Sequence, residues 1–417
     1  MLKYITWIFL VFLLFLGGAV FHWVIWESED PEVDVWDFIY EIWPDEEAKS
    51  LLKLEYGNRP LSVLLVPGHD AEYYGARYRD LTEDELNIDM TRELMSFFDQ
   101  DENFVPVSAR DLETGEYIDP LWDYFQLNQE DIFSYREDLI GLRLELLGRG
   151  DMSEWSLENA GQEARDISLR LYGLNKWARE VGFDLVLHVH FNDYRGRARN
   201  MPGRYSGASI YVPDKRYPNA DISRSVAESV FESLTKTAPV SNLPLESVGV
   251  VESEHLAAVA ADPSPYAASI LIEYGYIYES QWVDPELREV IFPRLAFQTY
   301  AGVKNFFGSE AEDFLEKNLA EHNYEWSRVM APDSEPRADV LALQLFLQHF
   351  DLYPQEGLGL SACPVRGVYD TCTELAVAEW QEKLEEQKDV DLASERGRVG
   401  EETLRLLNRL SNGAGVH

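Results

Sequence analysis

The residues with the most chemistry in this chain are scarce, and they stand at the ends of apolar runs. Only eight histidines occur. His69 closes the run Leu61-Ser62-Val63-Leu64-Leu65-Val66 through Pro67-Gly68, and His190 closes Phe183-Asp184-Leu185-Val186-Leu187-His188-Val189. A third run, Ser269-Ile270-Leu271-Ile272, ends in Glu273 and Tyr274. Two imidazoles and one carboxylate with a fourth position open make a hydrolytic zinc site, in which the metal lowers the pKa of water toward ~7 and polarises a carbonyl. His69 and His190 supply the nitrogens. For the carboxylate, Glu83, Asp84 and Glu85 compete with Glu72, and spacing alone does not choose among them. The first three also suit a plain acidic first turn, which the helix dipole favours. The short His-x-x-x-His and His-x-x-Glu zinc motifs are missing, so the ligands have to come from elements far apart in the chain.

Those elements follow from periodicity. The runs ending in His69, His190 and Glu273 read as strands buried on both faces, since they are mostly apolar rather than alternating. Thr82 to Phe98 carries Leu86, Met90, Leu94 and Phe97 at helical spacing, with Thr82 placed to cap it. Phe104-Val105-Pro106-Val107 reads as a short strand parallel to the first after this crossover. Asp111 to Gly161 holds one or two helices. Gln162–Val181 is amphipathic through Ala164, Ile167, Leu171, Leu174 and Ala178, and Ala220–Lys236 is a further helix. Strands alternating with helices predict an α/β fold with an open mixed or parallel sheet. Ligands of such sheets gather outside the carboxyl ends of the strands, where His69, His190 and Glu273 would meet.

Composition narrows the function classes. The 417 residues include 75 acidic and 36 basic side chains, a net charge of −39, which excludes a sequence-independent nucleic-acid binder needing a cationic face. With 46% hydrophobic and 13% aromatic residues the chain can bury packed cores. The two cysteines, Cys363 and Cys372, exclude a disulfide framework or thiolate zinc cage as the main organising device. Nine positions apart, they either close one small loop or remain two buried thiols.

The N-terminus predicts a membrane anchor. Ile5 to Trp26 carries no charge, and at ~1.5 Å per residue this run spans roughly 33 Å, about one hydrocarbon thickness. A cleaved signal is the competing reading, but its apolar region is shorter. Lys3 before the run and Glu27, Glu29, Asp30, Glu32 and Asp34 after it place the body outside the cytoplasm. Residues 1–26 are thus the expected anchor and 27–60 an acidic tether containing one or two short helices.

Four blocks carry a resemblance. Leu64-Leu65-Val66-Pro67-Gly68-His69, Glu83-Asp84-Glu85-Leu86-Asn87-Ile88-Asp89-Met90, Leu187-His188-Val189-His190-Phe191-Asn192 and Ile270-Leu271-Ile272-Glu273-Tyr274-Gly275-Tyr276 resemble, in order, those of the zinc-dependent N-acetylmuramoyl-L-alanine amidases of type 3. The resemblance spans residues 61–308. It implies His69, Glu83 and His190 as zinc ligands and Glu273 as the catalytic glutamate, and it makes His188 and Asn192 candidates for supporting contacts. His188 stands where the family commonly has serine. The family's glycine-rich stretch after the first histidine is replaced by Asp70-Ala71-Glu72-Tyr73-Tyr74-Gly75-Ala76-Arg77, a bulkier and more acidic rim. Residues 112–165 exceed the usual connection. They could form a helical hairpin on the scaffold, shape the groove, bind a partner, or cover the metal as the inhibitory helix of some members does.

A polar, proline-flanked linker at 309–336 leads to a second module. Three short helices are expected at 339–350, 373–387 and 401–410, forming a compact all-α bundle. Gly367-Val368-Tyr369-Asp370 with Thr373, Ala376-Val377 and Trp380-Gln381, then Gly397-Arg398-Val399-Gly400 with Thr403, resemble the three-helix peptidoglycan-binding domain over 337–410, leaving 411–417 as a tail. Both turns are also sensible structural punctuation. Together the resemblances imply a cell-envelope hydrolase cleaving the amide between N-acetylmuramic acid and L-alanine with Zn2+, held to peptidoglycan and to the membrane, with any activating protein unidentified. A wall-binding scaffold without catalysis and a zinc endopeptidase for another wall amide are the competing expectations.

Overall fold

The computed structural model describes residues 45–148, 165–194, 196–253, 267–311, 319, 323–388 and 390–411. The expected anchor at 1–26 and most of the tether lie outside them. Among the described residues no helix is long and apolar enough to cross a membrane.

The chain enters through helix α1 (Asp45–Glu55) and then builds strand β1 (Leu61–Pro67), the short hairpin β2 (Arg77–Tyr78) and β3 (Leu81–Thr82), helix α2 (Glu83–Asp99) and strand β4 (Phe104–Ser108). Helices α3 (Asp119–Leu127), α4 (Gln129–Gly148) and α5 (Arg165–Val181) precede strand β5 (Leu185–Asn192). Strand β6 (Ser209–Pro213), helix α6 (Ala220–Leu234), strands β7 (Val250–Ser253) and β8 (Ala268–Tyr276), and helices α7 (Ser280–Val283) and α8 (Pro285–Phe306) complete the α/β part. The six-stranded sheet has the order β4-β1-β5-β8-β6-β7. All neighbours are parallel except β6 with β8, so the sheet is mixed.

Alternation along the strands divides the core. Leu61, Val63 and Leu65 of β1, Leu185, Leu187 and Val189 of β5, and Ile270 and Ile272 of β8 face α2, α6 and α8. Leu64, Val66 and Val186 point the other way, onto Leu121, Phe125, Ile132, Tyr172 and Trp177 of α3, α4 and α5. Each such aliphatic, removed from water, stabilises the fold by roughly 1.5–3 kcal/mol. The long insertion therefore packs its described helices α3 and α4 on α5, over one half of the sheet. Residues 149–164 lie outside the described ones.

Two ion pairs tie distant segments, one with an exposed arginine and one buried. Asp184, just before β5, accepts from both Arg59 terminal nitrogens at 2.8 and 2.6 Å and from Ser62 N and Oγ at 2.8 Å. Burial opposes this anion, but Arg59 and Ser62 outweigh it and hold Asp184 below the ordinary aspartate value. Its contacts pin β5 to β1 and so fix where His190 falls relative to His69. Lys304 of α8 meets Asp101 at 2.7 Å, and Tyr300 donates to the same oxygen at 2.8 Å.

The remaining helices, α9 (Ala338–His349), α10 (Thr371–Lys388) and α11 (Glu401–Ser411), enclose Val340, Phe346, Trp380 and Leu407. Their two turns repeat one device. Gln344 accepts from Gly367 N at 2.9 Å and donates to Thr373 Oγ1 at 2.9 Å; Gln381 accepts from Gly397 N at 2.8 Å and donates to Thr403 Oγ1 at 2.9 Å. Gly367 and Gly397 have φ of 76° and 75°, which glycine adopts without steric cost. The two Gly-to-Thr motifs are thereby explained as helix-entry turns locked by a buried glutamine. Cys363 and Cys372 are disulfide-bonded. This bundle is continuous with the main apolar core, α9 packing on α8.

Candidate metal centre

His69 lies two residues past the end of β1 with φ of 63°, a backbone state that costs an L residue roughly 1–2 kcal/mol. Three bonds hold it there. Gly68 N donates to Val189 O at 2.9 Å, Asn87 Nδ2 donates to Gly68 O at 2.8 Å, and Arg110 Nη1 donates to His69 O at 2.9 Å. Gly68 has to be glycine for a separate reason: a Cβ there would lie 2.1 Å from His190 Cε1.

Glu83 is the first residue of α2, after Thr82 at the N-cap. Thr82 N donates to the Glu85 carboxylate at 3.3 Å, so Glu85 is the capping-box residue rather than a ligand. Glu83 is buried and turns inward, where Oε1 lies 2.9 Å from His190 Nδ1 and Oε2 lies 3.2 Å from His69 Nε2. Ala76 N donates to Oε2 at 2.8 Å. Gly75 stands against the same group, with φ of 69° and a would-be Cβ 2.4 Å from Glu83 Oε2. Of the other acidic candidates, Glu72 bonds Arg170 on the surface and Asp84 is buried outside the cluster.

One ligand atom each from His69, Glu83 and His190 falls within 4.8 Å of the other two. Donors on a tetrahedral ion at ~2.0–2.2 Å stand roughly 3.3–3.6 Å apart, inside the 4.8 Å that bounds these three atoms, and two imidazoles with one carboxylate are a fitting set for Zn2+. Burial opposes the Glu83 anion, but bonding to His190 and the charge of His69 outweigh it and hold Glu83 well below the usual carboxylate range. Burial likewise opposes a charged His69, yet Glu83 raises its pKa. For His190 burial prevails and the pKa falls. Glu83 is thus held as the anion and His190 toward the neutral form, as metal ligation requires, whereas Glu83 favours the protonated form of His69, whose proton a bound ion displaces.

Glu273 is the register partner of His190 on the adjacent parallel strand, with Ser209 opposite on β6. Neighbours in register share a sheet face, so the carboxyl group stands beside the His190 imidazole. Its Oε2 is buried without a hydrogen-bond partner among the described residues. Burial, then the nearby Glu83 and Glu246, push the Glu273 pKa well above its ordinary value. A dication at the cluster would work in the opposite sense and favour the anion.

His188 lies on the same strand face as His190 but is not part of the three-residue cluster. Burial, reinforced by His190, pushes its pKa down to about 3, and its Nε2 is unpaired among the described residues. With Val66, Leu171 and Leu174 it lines a cavity of about 160 Å3 reaching His69 and His190. Asn192 instead donates to Glu246 Oε1 at 2.6 Å. Glu246, unread in the sequence, is fully buried and also accepts from Tyr211, Ser241 and Tyr276. Asp70 and Glu72 of the acidic rim pair with Arg170 of α5, and Tyr117 donates to Asp70 at 3.1 Å, so the rim is braced against the helices on that face.

No family model and no curated protein matches the chain. Solved structures do. The N-acetylmuramoyl-L-alanine amidase from Clostridium difficile 630 is 15% identical, covers 60% of this chain and 98% of its own, and has a TM-score of 0.38. The amidase Ami1 from Mycobacterium smegmatis is 12% identical over 60% of this chain and 98% of its own, with a TM-score of 0.39. The catalytic domain of the amidase CwlV from Bacillus (Paenibacillus) polymyxa var. colistinus is 13% identical over 60% and 99%, with a TM-score of 0.37. Fold and site together define an α/β protein with a candidate mononuclear metal centre at the carboxyl ends of β1 and β5.

Proposed function

We propose that this protein is a zinc-dependent amide hydrolase of the bacterial cell wall, cleaving between N-acetylmuramic acid and L-alanine. The observation that carries the reading is the convergence of His69, Glu83 and His190 on one point with Glu273 beside them. The four sequence blocks that resemble the amidases contain these four residues. When bound, Zn2+ supplies Lewis acidity toward the amide carbonyl and makes water acidic enough to lose a proton near neutral pH. The chain's own groups do the rest. His69, Glu83 and His190 hold the ion, and Arg110 and Asn87 keep the His69 turn in place. Glu273 accepts a proton from the water that attacks the carbonyl carbon, and returns it to the leaving nitrogen as the C–N bond breaks. The products are a carboxylate on the sugar's lactyl group and a peptide with a free L-alanine amine.

The α9–α11 bundle serves in this reading to hold the enzyme on its polymer and raise local substrate concentration. Residues 1–26 anchor the body to the outer side of the cytoplasmic membrane. The test is mass spectrometry of purified peptidoglycan digested by the zinc-loaded protein. Intact stem peptides with a free N-terminal alanine are expected. Shortened peptides still attached to sugar would point to an endopeptidase, and no cleavage by protein with stoichiometric zinc to a scaffold.

A further inference from the structure

A second cavity, of about 420 Å3, opens where the α/β part meets the helical bundle. It is walled by Pro202–Ser206, by Tyr278–Gln281 beyond β8, and by Leu360–Arg366 of the bundle. Its size is that of an ordinary small-ligand site.

Two guanidinium groups line it in a chain whose net charge is −39. Arg204 has no carboxylate partner among the described residues; its Nη2 donates to the Tyr205 hydroxyl, and it lies over the rings of Tyr194 and Tyr205, at 5.2 and 4.6 Å from their centroids. Arg366 reaches Asp370 only at 3.7 Å, with its side chain 45% exposed. The carboxylate in the wall, Glu279, is engaged internally, accepting from Gly207 N at 3.0 Å, Tyr276 N at 2.8 Å and Gln281 Nε2 at 3.2 Å. Within the cleft two guanidinium groups, one bonded to a tyrosine hydroxyl and one loosely paired with Asp370 outside the lining, thus face one anion that is already bonded. That balance suits a monoanion better than a doubly charged phosphate. Pro202, Pro239, Val240 and Val365 provide apolar surface beside the charges, as small methyl side chains require.

Both walls are built before any ligand arrives. On the bundle side, Arg366 N donates to the buried Gln344 Oε1 at 3.1 Å, and the Cys363–Cys372 disulfide ties the segment to α10. On the other side, Tyr278 donates to Tyr205 O at 2.9 Å and Ser206 N to Asn242 Oδ1 at 3.0 Å. Preorganised donors lose little freedom on binding.

We infer that this junction cleft is a binding site, separate from the metal centre, for the free carboxylate of a short peptide with small side chains. Arg204 and Arg366 receive the carboxylate, and the proline and valine surfaces receive the methyl groups.

The test is calorimetric titration of the full chain with N-acetyl-Ala-Ala, with its C-terminal amide and with inorganic phosphate. Binding of the acid is expected, weakened about tenfold or more by amidation and by either Arg204→Gln or Arg366→Gln, since each removes a charge-assisted hydrogen bond. Arg204→Lys, which keeps the charge on an unstacked ammonium, is expected between wild type and Arg204→Gln. Chelation of metal and Glu273→Gln are expected to change nothing, so failure of this site and failure of the hydrolase reading are told apart. The inference is overturned if the acid does not bind, if its amide binds equally, if folded arginine variants bind as wild type, or if phosphate binds as tightly as the peptide.

Discussion

Replacing Gly75 by alanine tests the geometry of the metal centre without removing any ligand. The new Cβ would sit 2.4 Å from Glu83 Oε2 and 2.5 Å from His69 Cδ2, about 1 Å short of ordinary contact. Backbone φ of 69° adds a cost of roughly 1–2 kcal/mol for any L side chain. Gly57 separates the two effects: its φ is 83°, but nothing lies within 4 Å of its would-be Cβ. In urea unfolding of metal-free protein Gly57→Ala should lose about 1–2 kcal/mol, the backbone cost alone, and Gly75→Ala more, because its Cβ also overlaps Glu83 and His69. Only Gly75→Ala should also displace the carboxylate and imidazole. A shift of about 1 Å at reacting groups costs on the order of 10²-fold in turnover, and disturbed ligand support costs roughly 10–100-fold in metal affinity. The assays are zinc competition titration and release of stem peptides. If Gly75→Ala binds zinc as tightly as Gly57→Ala, the packing of Gly75 against the ligands is refuted.

Glu273→Gln should keep one zinc per chain and lose turnover by about 10²-fold or more, the usual worth of a general base; normal peptide release removes Glu273 from the mechanism. Burial opposes the Asp101 anion, but Lys304, Asn103 and Tyr300 more than offset it, so its folded pKa lies below 3.8. Its contribution is complete above pH 3.8 and disappears as pH falls through the folded value. Asp101→Asn should therefore lose stability relative to wild type at pH 6, with the gap closing in acid; a gap independent of pH contradicts the ion-pair account. Reducing Cys363–Cys372 should lower the unfolding free energy of the bundle by about 2–3 kcal/mol, as expected for so small a loop, and unchanged melting in reductant would show that the crosslink contributes nothing.

The sequence carried the parts of this molecule whose physics is local. Strands β1, β5 and β8 were readable because strands buried on both faces need unbroken apolar runs, and the polar residues that end those runs, His69, His190 and Glu273, therefore stood out. Thr82 as a cap marked the start of α2, but the choice of Glu83 over Asp84 and Glu85 came from the amidase resemblance, and the bond from Thr82 N to Glu85 appears only in the structure. Less local features left little trace. Strands β6 and β7 are five and four residues long, too short for alternation to rise above the surrounding loops. Helix α8 carries Pro293 in its interior, which breaks the usual helical signature. Arg110 and Glu246 act through bonds to atoms dozens of residues away, and no spacing announces that. Gly75 was visible only as the one glycine in a bulky stretch, and its contact with Glu83 appears only in three dimensions.

The central claim is that His69, Glu83 and His190 together hold a single ion, and titration of metal-free protein with Co2+, followed by its visible ligand-field absorption, tests it most directly. The account predicts one four- or five-coordinate ion per chain, with the tight phase lost in His69→Ala, Glu83→Gln and His190→Ala while each variant remains folded. A full, tight equivalent retained in any of these three variants would contradict it.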